Sequence, residues 1–251
     1  MSCVDIRGCR IGEGRPKVIL PIVERAEAAI LEKAAQFSTL QADCVEWRVD
    51  YFEGARAPGA VARCLAKMRV ILRDKLLLVT FRTKAEGGKQ ALSHPEYLAF
   101  LRLILDTDCA DLLDIEFFTA GADLPKLVEQ AHSAGVAVVC SSHDFTKTPP
   151  RAELVSRMVQ MQQAGADLPK LAVMPRCRSD VLELLAATIE MADLHPETPV
   201  ITMSMGALGA VSRLAGETFG SAMTFANPGQ ASAPGQVSLD IVNEVLNALH
   251  L

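Results

Sequence analysis

The stretch Leu168-Pro169-Lys170-Leu171-Ala172-Val173-Met174-Pro175 holds a single lysine in an apolar run bounded by prolines. It is too short for a helix, and an alternation of two puts Leu168, Lys170 and Ala172 on one face and Leu171 and Val173 on the other. Lys170 is thus predicted on a strand with its amine indoors. Desolvation disfavours an ammonium, so an amine held among aliphatic groups is partly neutral and can attack a carbonyl to form a Schiff base. An ion pair with a buried carboxylate explains the same residue equally well on local grounds. The sequence also supplies a control, because Ala-Gly-Ala-Asp-Leu-Pro-Lys-Leu occurs at 120–127 and again at 164–171. Val-Glu-Gln-Ala-His follows the first copy at helical spacing, which predicts a solvated Lys126 in the first turns of a helix.

Imine chemistry needs proton transfers, for which an imidazole with an ordinary pKa of about 6.5 is suited. Of five histidines, His143 stands at the end of a strand-like run, Ser141-Ser142-His143-Asp144, whereas His94, His132, His195 and His250 fall in or beside helical segments. Further charges alternate with apolar residues: Glu46 and Arg48 share one face of a strand, and so do Asp114 and Glu116. Arg82 follows Thr80-Phe81 at another strand end. A buried unpaired charge costs several kcal/mol, so these groups must pair. Some are expected to meet a substrate and others, such as Arg48 with Glu46 or Asp114, to form a supporting network. Two segments have the composition of ligand covers: 82–89, which puts Glu86 in a flexible turn, and 226–236, long and poor in apolar side chains.

Strand and helix alternate from Val18 to the C-terminus. Strands are predicted at 18–22, 44–49, 76–81, 112–117, 137–142, 168–174, 200–205 and 222–225, with helices at 24–37, 57–72, 95–105, 124–134, 149–164, 179–194, 207–214 and 239–250. Ser93 before Pro95 and Thr148 before Pro149 are helix-start signals. Eight strands each followed by a helix require parallel pairing with right-handed crossovers, and a closed (β/α)8 TIM barrel satisfies all of them without leaving an edge. An open doubly wound α/β sheet is the second architecture. A short β-hairpin, with its turn at 10–14, precedes the barrel. No linker or composition shift divides residues 1–251, so a single domain is expected. In such a barrel chemistry gathers at the C-terminal strand ends, and neighbouring strands bring His143 and Lys170 to one mouth.

Composition narrows the partners. A formal charge of −5 with no basic stripe argues against nucleic acid. Seven cysteines without Cys-x-x-Cys spacing fit reduced thiols in a cytoplasmic enzyme and offer no zinc framework. No apolar run approaches the roughly 18 residues of a membrane span, and the N-terminus lacks the apolar core of a secretion signal.

Several motifs, in order, resemble the type I 3-dehydroquinate dehydratases, Schiff-base (β/α)8 enzymes of the shikimate pathway. They are Glu46-Trp47-Arg48-Val49-Asp50, Thr80-Phe81-Arg82 with Glu86-Gly87-Gly88, Ser142-His143-Asp144-Phe145, Pro169-Lys170, Ile201-Thr202-Met203-Ser204-Met205, Ser212-Arg213-Leu214-Ala215-Gly216-Glu217 with Phe219-Gly220-Ser221, and Ala231-Ser232-Ala233-Pro234-Gly235-Gln236. The resemblance implies reversible dehydration of 3-dehydroquinate to 3-dehydroshikimate, with no metal or organic cofactor, in a homodimer. It implies that Lys170 forms the imine, that His143 is the general acid and base, and that Glu86 orients and charges His143. Arg213 would clamp the substrate carboxylate and Glu46, Arg48 and Arg82 the ring hydroxyls, while Met203, Met205, Phe225, Ser232, Ala233 and Gln236 line and close the pocket. Two residues depart from the family pattern: Pro21, where many members carry a hydroxyl, and Ser142, where Asn is frequent.

Two other readings stay open on the sequence. A class I aldolase acting on a small keto-sugar shares the barrel, lysine and imine, with Gly206-Ala-Leu-Gly209 as a phosphate cradle. A non-catalytic sensor of a pathway intermediate is the other, which an intact Lys170 and His143 argue against.

Overall fold

Short runs of aliphatic residues, each followed by an amphipathic stretch, build a parallel sheet of nine strands in the computed structural model, which describes residues 2–229 and 235–250. A separate antiparallel hairpin, β1 (Val4–Ile6) and β2 (Cys9–Ile11), comes first. Then follow β3 (Lys17–Ile22), α1 (Glu27–Ser38), β4 (Cys44–Arg48), α2 (Ala60–Ile71), β5 (Leu76–Thr80), α3 (His94–Leu105), β6 (Leu112–Glu116), α4 (Phe117–Ala120), α5 (Leu124–Ser133), β7 (Ala137–Asp144) and α6 (Arg151–Gln163). The chain continues with β8 (Leu168–Val173), α7 (Arg178–Leu194), β9 (Ile201–Ser204), α8 (Ala210–Leu214), α9 (Gly216–Phe219), β10 (Met223–Asn227), β11 (Val237–Ser238) and α10 (Leu239–Ala248). From β3 to β9 each strand pairs with the next, and β10 pairs with β3. The curl brings β9 and β10 together at a bridge between Val200 and Ser221, where the Ala222 N–H donates to the Val200 carbonyl at 2.8 Å.

The strand alternation separates two apolar layers. Val45, Trp47, Leu113, Ile115, Leu171 and Val173 face outward against the helices, while Cys44, Leu78, Leu112, Val139, Leu168 and Ile201 face the barrel interior. Three aspartates set strands against their neighbours at the lower rim. Asp43, Asp111 and Asp167, just ahead of β4, β6 and β8, accept the backbone N–H of Val18, Leu77 and Val138 at 2.7–2.8 Å. Asp167 belongs to the second copy of the repeated octapeptide, and its counterpart Asp123 instead meets the His94 ring at 2.9 Å beside a helix. Lys126 is exposed in α5, as its helical spacing predicts.

Three local expectations are corrected. The hairpin turns at Arg7-Gly8, where both residues have positive φ (52° and 80°), the conformation that suits a two-residue loop to strand twist; of the expected turn at 10–14, Arg10 and Ile11 belong to β2, and the turn at 12–14 follows the hairpin rather than closing it. The N-cap of α6 is Pro150, not Thr148. The expected helix at 207–214 is a 3₁₀ turn leading into the five residues of α8. Ser93 does open α3, in a capping box closed by Glu96 Oε2, which accepts the Ser93 N–H at 2.7 Å.

The hairpin plugs the lower end of the barrel. Ile11 is wholly buried among Ile19, Cys44, Leu76 and their neighbours. Ile11→Ala is expected to destabilise the fold by about 2–5 kcal/mol in denaturant titration, the range for emptying a buried aliphatic site; an unchanged midpoint would mean that the hairpin does not hold the barrel floor.

Candidate active site

The C-terminal strand ends enclose a cavity of about 220 Å³. Lys170, His143, Glu86, Glu46, Arg48, Arg82, Arg213, Gln236, Met203, Met205 and Phe225, all expected from sequence, line it together. Ser232 and Ala233 lie outside the described residues, as does part of the 226–236 segment. On β6 and β7 the inward face changes from apolar to polar toward this end, Leu112, Asp114, Glu116 on the first and Val139, Ser141, His143 on the second, while β8 sets Lys170 between Leu168 and Ala172. In register, Ser141 lies opposite Lys170 and His143 opposite Ala172, so the amine and the imidazole are diagonal neighbours on one face.

The amine is not surrounded by aliphatic groups alone. Lys170 Nζ donates to Asp114 Oδ2 at 3.2 Å and lies 4.7 Å from the centroid of the Phe225 ring. Asp114 is held in turn by Ser141 Oγ at 2.6 Å and by Arg82 Nη2 at 2.7 Å. Arg82 is the hub: its Nη1 also donates to Glu116 Oε1 and Ser141 Oγ, both at 2.9 Å, and lies 3.5 Å from Glu86 Oε2. Burial opposes the charge on Arg82, but Asp114, Glu116 and Glu86 outweigh it and raise its pKa.

Glu116 fills its acceptor sites with the Thr83 N–H (2.8 Å), Thr83 Oγ1 (2.7 Å) and Thr119 Oγ1 (2.6 Å) besides Arg82. It thereby pins the turn that carries Glu86. That turn folds back so closely that a Cβ on Gly88 would stand 1.8 Å from the Arg82 carbonyl oxygen, and one on Gly87 would strike the Phe145 ring. The expected flexible cover is therefore a tight 3₁₀ turn (Lys84–Glu86) with Glu86 buried.

Glu86 Oε2 accepts the His143 backbone N–H at 3.1 Å and lies 2.9 Å from Nδ1. The tautomer assigned from that contact carries hydrogen on Nδ1 and leaves the Nε2 lone pair for chemistry. Phe145 stacks on the imidazole, with ring centroids 6.4 Å apart and planes 16° from parallel. Burial, then the cations Arg82, Lys170 and Arg48, hold the imidazole well below its usual pKa and hence neutral. Burial, reinforced by Glu116 and Asp114 and opposed by Arg82, pushes the Glu86 carboxyl up to about 8. Orientation of His143 by Glu86 follows from this geometry; the expectation that Glu86 also charges it does not, because the surrounding cations and burial act the other way.

Arg48 makes a bidentate pair with buried Asp50, at 2.7 and 2.9 Å, and stacks on Tyr51, its guanidinium carbon 5.0 Å from the ring centroid. The sequence-based pairing of Arg48 with Glu46 or Asp114 is thus replaced by an adjacent partner. Glu46 accepts from Thr80 Oγ1 at 2.8 Å. Arg213 is buried on the Met203 side, its Nη1 3.6 Å from the sulfur, and burial lowers its pKa to about 10. Ser142, a departure from the family pattern, faces away from the cavity and accepts from Arg157 Nη1 of α6 at 3.1 Å. Asp50, Tyr51, Phe145 and Ser141 were not assigned to the site by sequence, and Asp114 and Glu116 were read only as inward charges on one strand face, without a specific role.

Residues 18–251 match the sequence model of the family described as type I 3-dehydroquinase. The 3-dehydroquinate dehydratase of Bacillus licheniformis is 47% identical over 247 residues, covering 98% of this chain and 97% of that one. A crystal structure of type I 3-dehydroquinate dehydratase from Clostridium difficile superposes with a TM-score of 0.95 at 43% identity, over 99% of this chain and 98% of that one. The 3-dehydroquinate dehydratase structure from Enterococcus faecalis gives 0.93 at 40% identity, over 99% of this chain and all of that one (100%).

A buried carboxyl with a pKa of about 8 binds its proton more tightly folded than unfolded. Its contribution to stability is therefore full below the unfolded value near 4.5 and is lost as pH rises through 8. Glu86→Gln, which cannot ionise, is expected to gain stability relative to the unaltered protein between pH 5 and pH 9, by an amount on the order of a few kcal/mol. Denaturant midpoints measured across that range test this, and a difference independent of pH contradicts it.

Proposed function

This chain belongs to the type I 3-dehydroquinase family, and from that premise we propose that it removes water reversibly from 3-dehydroquinate, giving 3-dehydroshikimate, through an imine on Lys170. The observation that carries the route is the shared cavity: a buried amine on β8 and a neutral imidazole on β7 open onto the same space.

Lys170 Nζ attacks the C3 ketone, and the resulting carbinolamine loses its oxygen as water to leave a protonated imine. His143 Nε2 takes the C2 proton, and the C–H electron pair moves into the iminium to form an enamine. The enamine returns the pair and expels the C1 hydroxyl, which leaves as water with the proton His143 carries. Hydrolysis of the remaining imine regenerates the lysine and frees the product ketone. Positioned proton transfer of this kind contributes roughly 10² to 10⁴ in rate. The iminium is the electron sink, so this route uses no metal or organic cofactor.

Arg213 faces the substrate carboxylate, where a planar guanidinium can bind bidentately. Glu46 and Arg48, carried by β4, meet ring hydroxyls. Arg82, fully committed to Asp114, Glu116 and Ser141, acts by holding the others. Met203, Met205 and Phe225 give the ring apolar contact, and Gln236 completes the lining at the mouth. The aldolase reading loses its phosphate cradle: a Cβ on Gly209 would stand 2.2 Å from the Ser204 carbonyl oxygen, and Gly206 has a positive φ of 71°, so packing at one and backbone conformation at the other account for these glycines. The enzyme is further read as a single-domain barrel, paired as a homodimer, serving aromatic biosynthesis in the cytoplasm; no described helix is long and apolar enough to cross a membrane.

Borohydride added with 3-dehydroquinate is expected to label Lys170 and leave Lys126 unmodified. An active enzyme whose mass map lacks the Lys170 adduct rejects the imine route. His143→Ala should still permit trapping while turnover falls by about 10² or more, and Arg213→Ala should raise KM more than it lowers kcat. Unchanged turnover, or unchanged KM, removes the respective residue from its role.

A further inference from the structure

The Lys170 nitrogen is held between two groups that favour positive charge. Asp114 Oδ2 stands 3.2 Å away on one side, and the Phe225 ring centroid 4.7 Å away on another. We propose, resting on the imine route above, that Asp114 and Phe225 form a clasp that keeps the substrate imine protonated, so that Asp114 is a catalytic residue of the dehydration and not only the resting partner of the lysine.

An ammonium has three N–H bonds, whereas the iminium that replaces it has one. That remaining hydrogen needs an acceptor that stays in place when the substrate arrives. Asp114 meets this requirement because its position does not depend on Lys170: Ser141 Oγ holds one oxygen at 2.6 Å and Arg82 Nη2 the other at 2.7 Å. The carboxyl is wholly buried, and although burial would raise its pKa, Arg82, then Lys170 and the Ser141 hydroxyl, hold it below the ordinary carboxylate value. It is therefore an anion throughout the neutral range. The aromatic face adds attraction for the same cation through its quadrupole.

The balance of the C2 step shows why this matters. When His143 removes the C2 proton, the electron pair must enter a C=N bond that carries positive charge, and the nitrogen becomes neutral only in the enamine. A neutral imine offers no comparable sink. The clasp thus sets the fraction of the adduct able to react at a given pH. The other titratable or charged groups around the pair are Arg82, Glu86, Tyr97, Glu116, Cys140 and His143, with Glu46, Arg48 and Arg213 across the cavity that Lys170 lines. Asp114 is the group that bonds the lysine nitrogen itself.

The test measures kcat against pH for the unaltered enzyme, Asp114→Asn and Phe225→Leu, with borohydride trapping of 3-dehydroquinate on each. In Asp114→Asn the alkaline limb of kcat is expected to move down by about one pH unit, a tenfold change in the proton equilibrium of the imine. Phe225→Leu should move it in the same direction by less, and trapping should persist in both. A fall in kcat with the alkaline limb unmoved overturns the clasp and leaves Asp114 a structural ion-pair partner. Should Asp114→Asn not fold, the limb of Phe225→Leu decides alone, an unmoved limb again rejecting the proposal. Failure of the unaltered enzyme to trap on Lys170 rejects the imine route itself, which separates that failure from failure of the clasp.

Discussion

The buried guanidinium of Arg82 is the constraint on which the site depends. Asp114, Glu116 and Glu86 are drawn from two separate segments into one dry region, where their mutual repulsion would be severe without a cation between them. Arg82 meets all three, most closely Asp114 at 2.7 Å. Two arms leave this hub. Asp114 reaches Lys170, while Glu116 holds the Thr83 backbone and so the turn that presents Glu86 to His143. The Lys170 amine and the His143 imidazole therefore take their positions from one shared cation. Buried ion pairs are weak grounds for stability; the consequence here lies in where two nitrogens stand.

The lower half of the barrel makes that arrangement electrostatically effective. Its interior is closed by Leu78, Leu112, Val139, Leu168 and Ile201, with Ile11 of the hairpin beneath. Charges above such a floor are screened by protein and not by water, which is why burial leads the causes that raise Glu86 and lower His143. A carboxyl and an imidazole that would both be charged in an exposed pair are here pushed toward their neutral forms. The imidazole is held neutral, with a lone pair free to accept a proton, because of that floor as much as because of its immediate partners.

The two departures from the family pattern fall on different sides of this boundary. Ser142 alternates outward from His143 and serves the packing of α6 through Arg157, so its hydroxyl never faces the cavity. Pro21 lies opposite Glu46 in the β3–β4 pairing and is buried beside the polar wall. A proline there offers neither a side-chain hydroxyl nor a backbone donor, and the hydrogen bonds of that wall rest on Glu46, Thr80 and Arg48 with Asp50.

Much of this could be read in the sequence, because alternation along a strand is a local property. The period of two put Lys170, Glu46, Asp114 and Glu116 on inward faces, and eight alternating units required parallel pairing, which a barrel with its chemistry at the C-terminal strand ends satisfies without an edge. What local pattern could not decide was partnership. Arg48 looked suited to Glu46 or Asp114 and took Asp50; Lys170 looked surrounded by aliphatic groups and met Asp114, 56 positions away. Glu86 looked loose and is pinned by a carboxylate from another strand. The two copies of one octapeptide make the division plain: identical residues place Lys126 in solvent on a helix and Lys170 in the site on a strand. The segments that follow each copy chose helix or strand, but only strand register and closure of the barrel bring a particular acid within reach of the amine, since contacts between distant segments depend on packing that no short window of sequence contains.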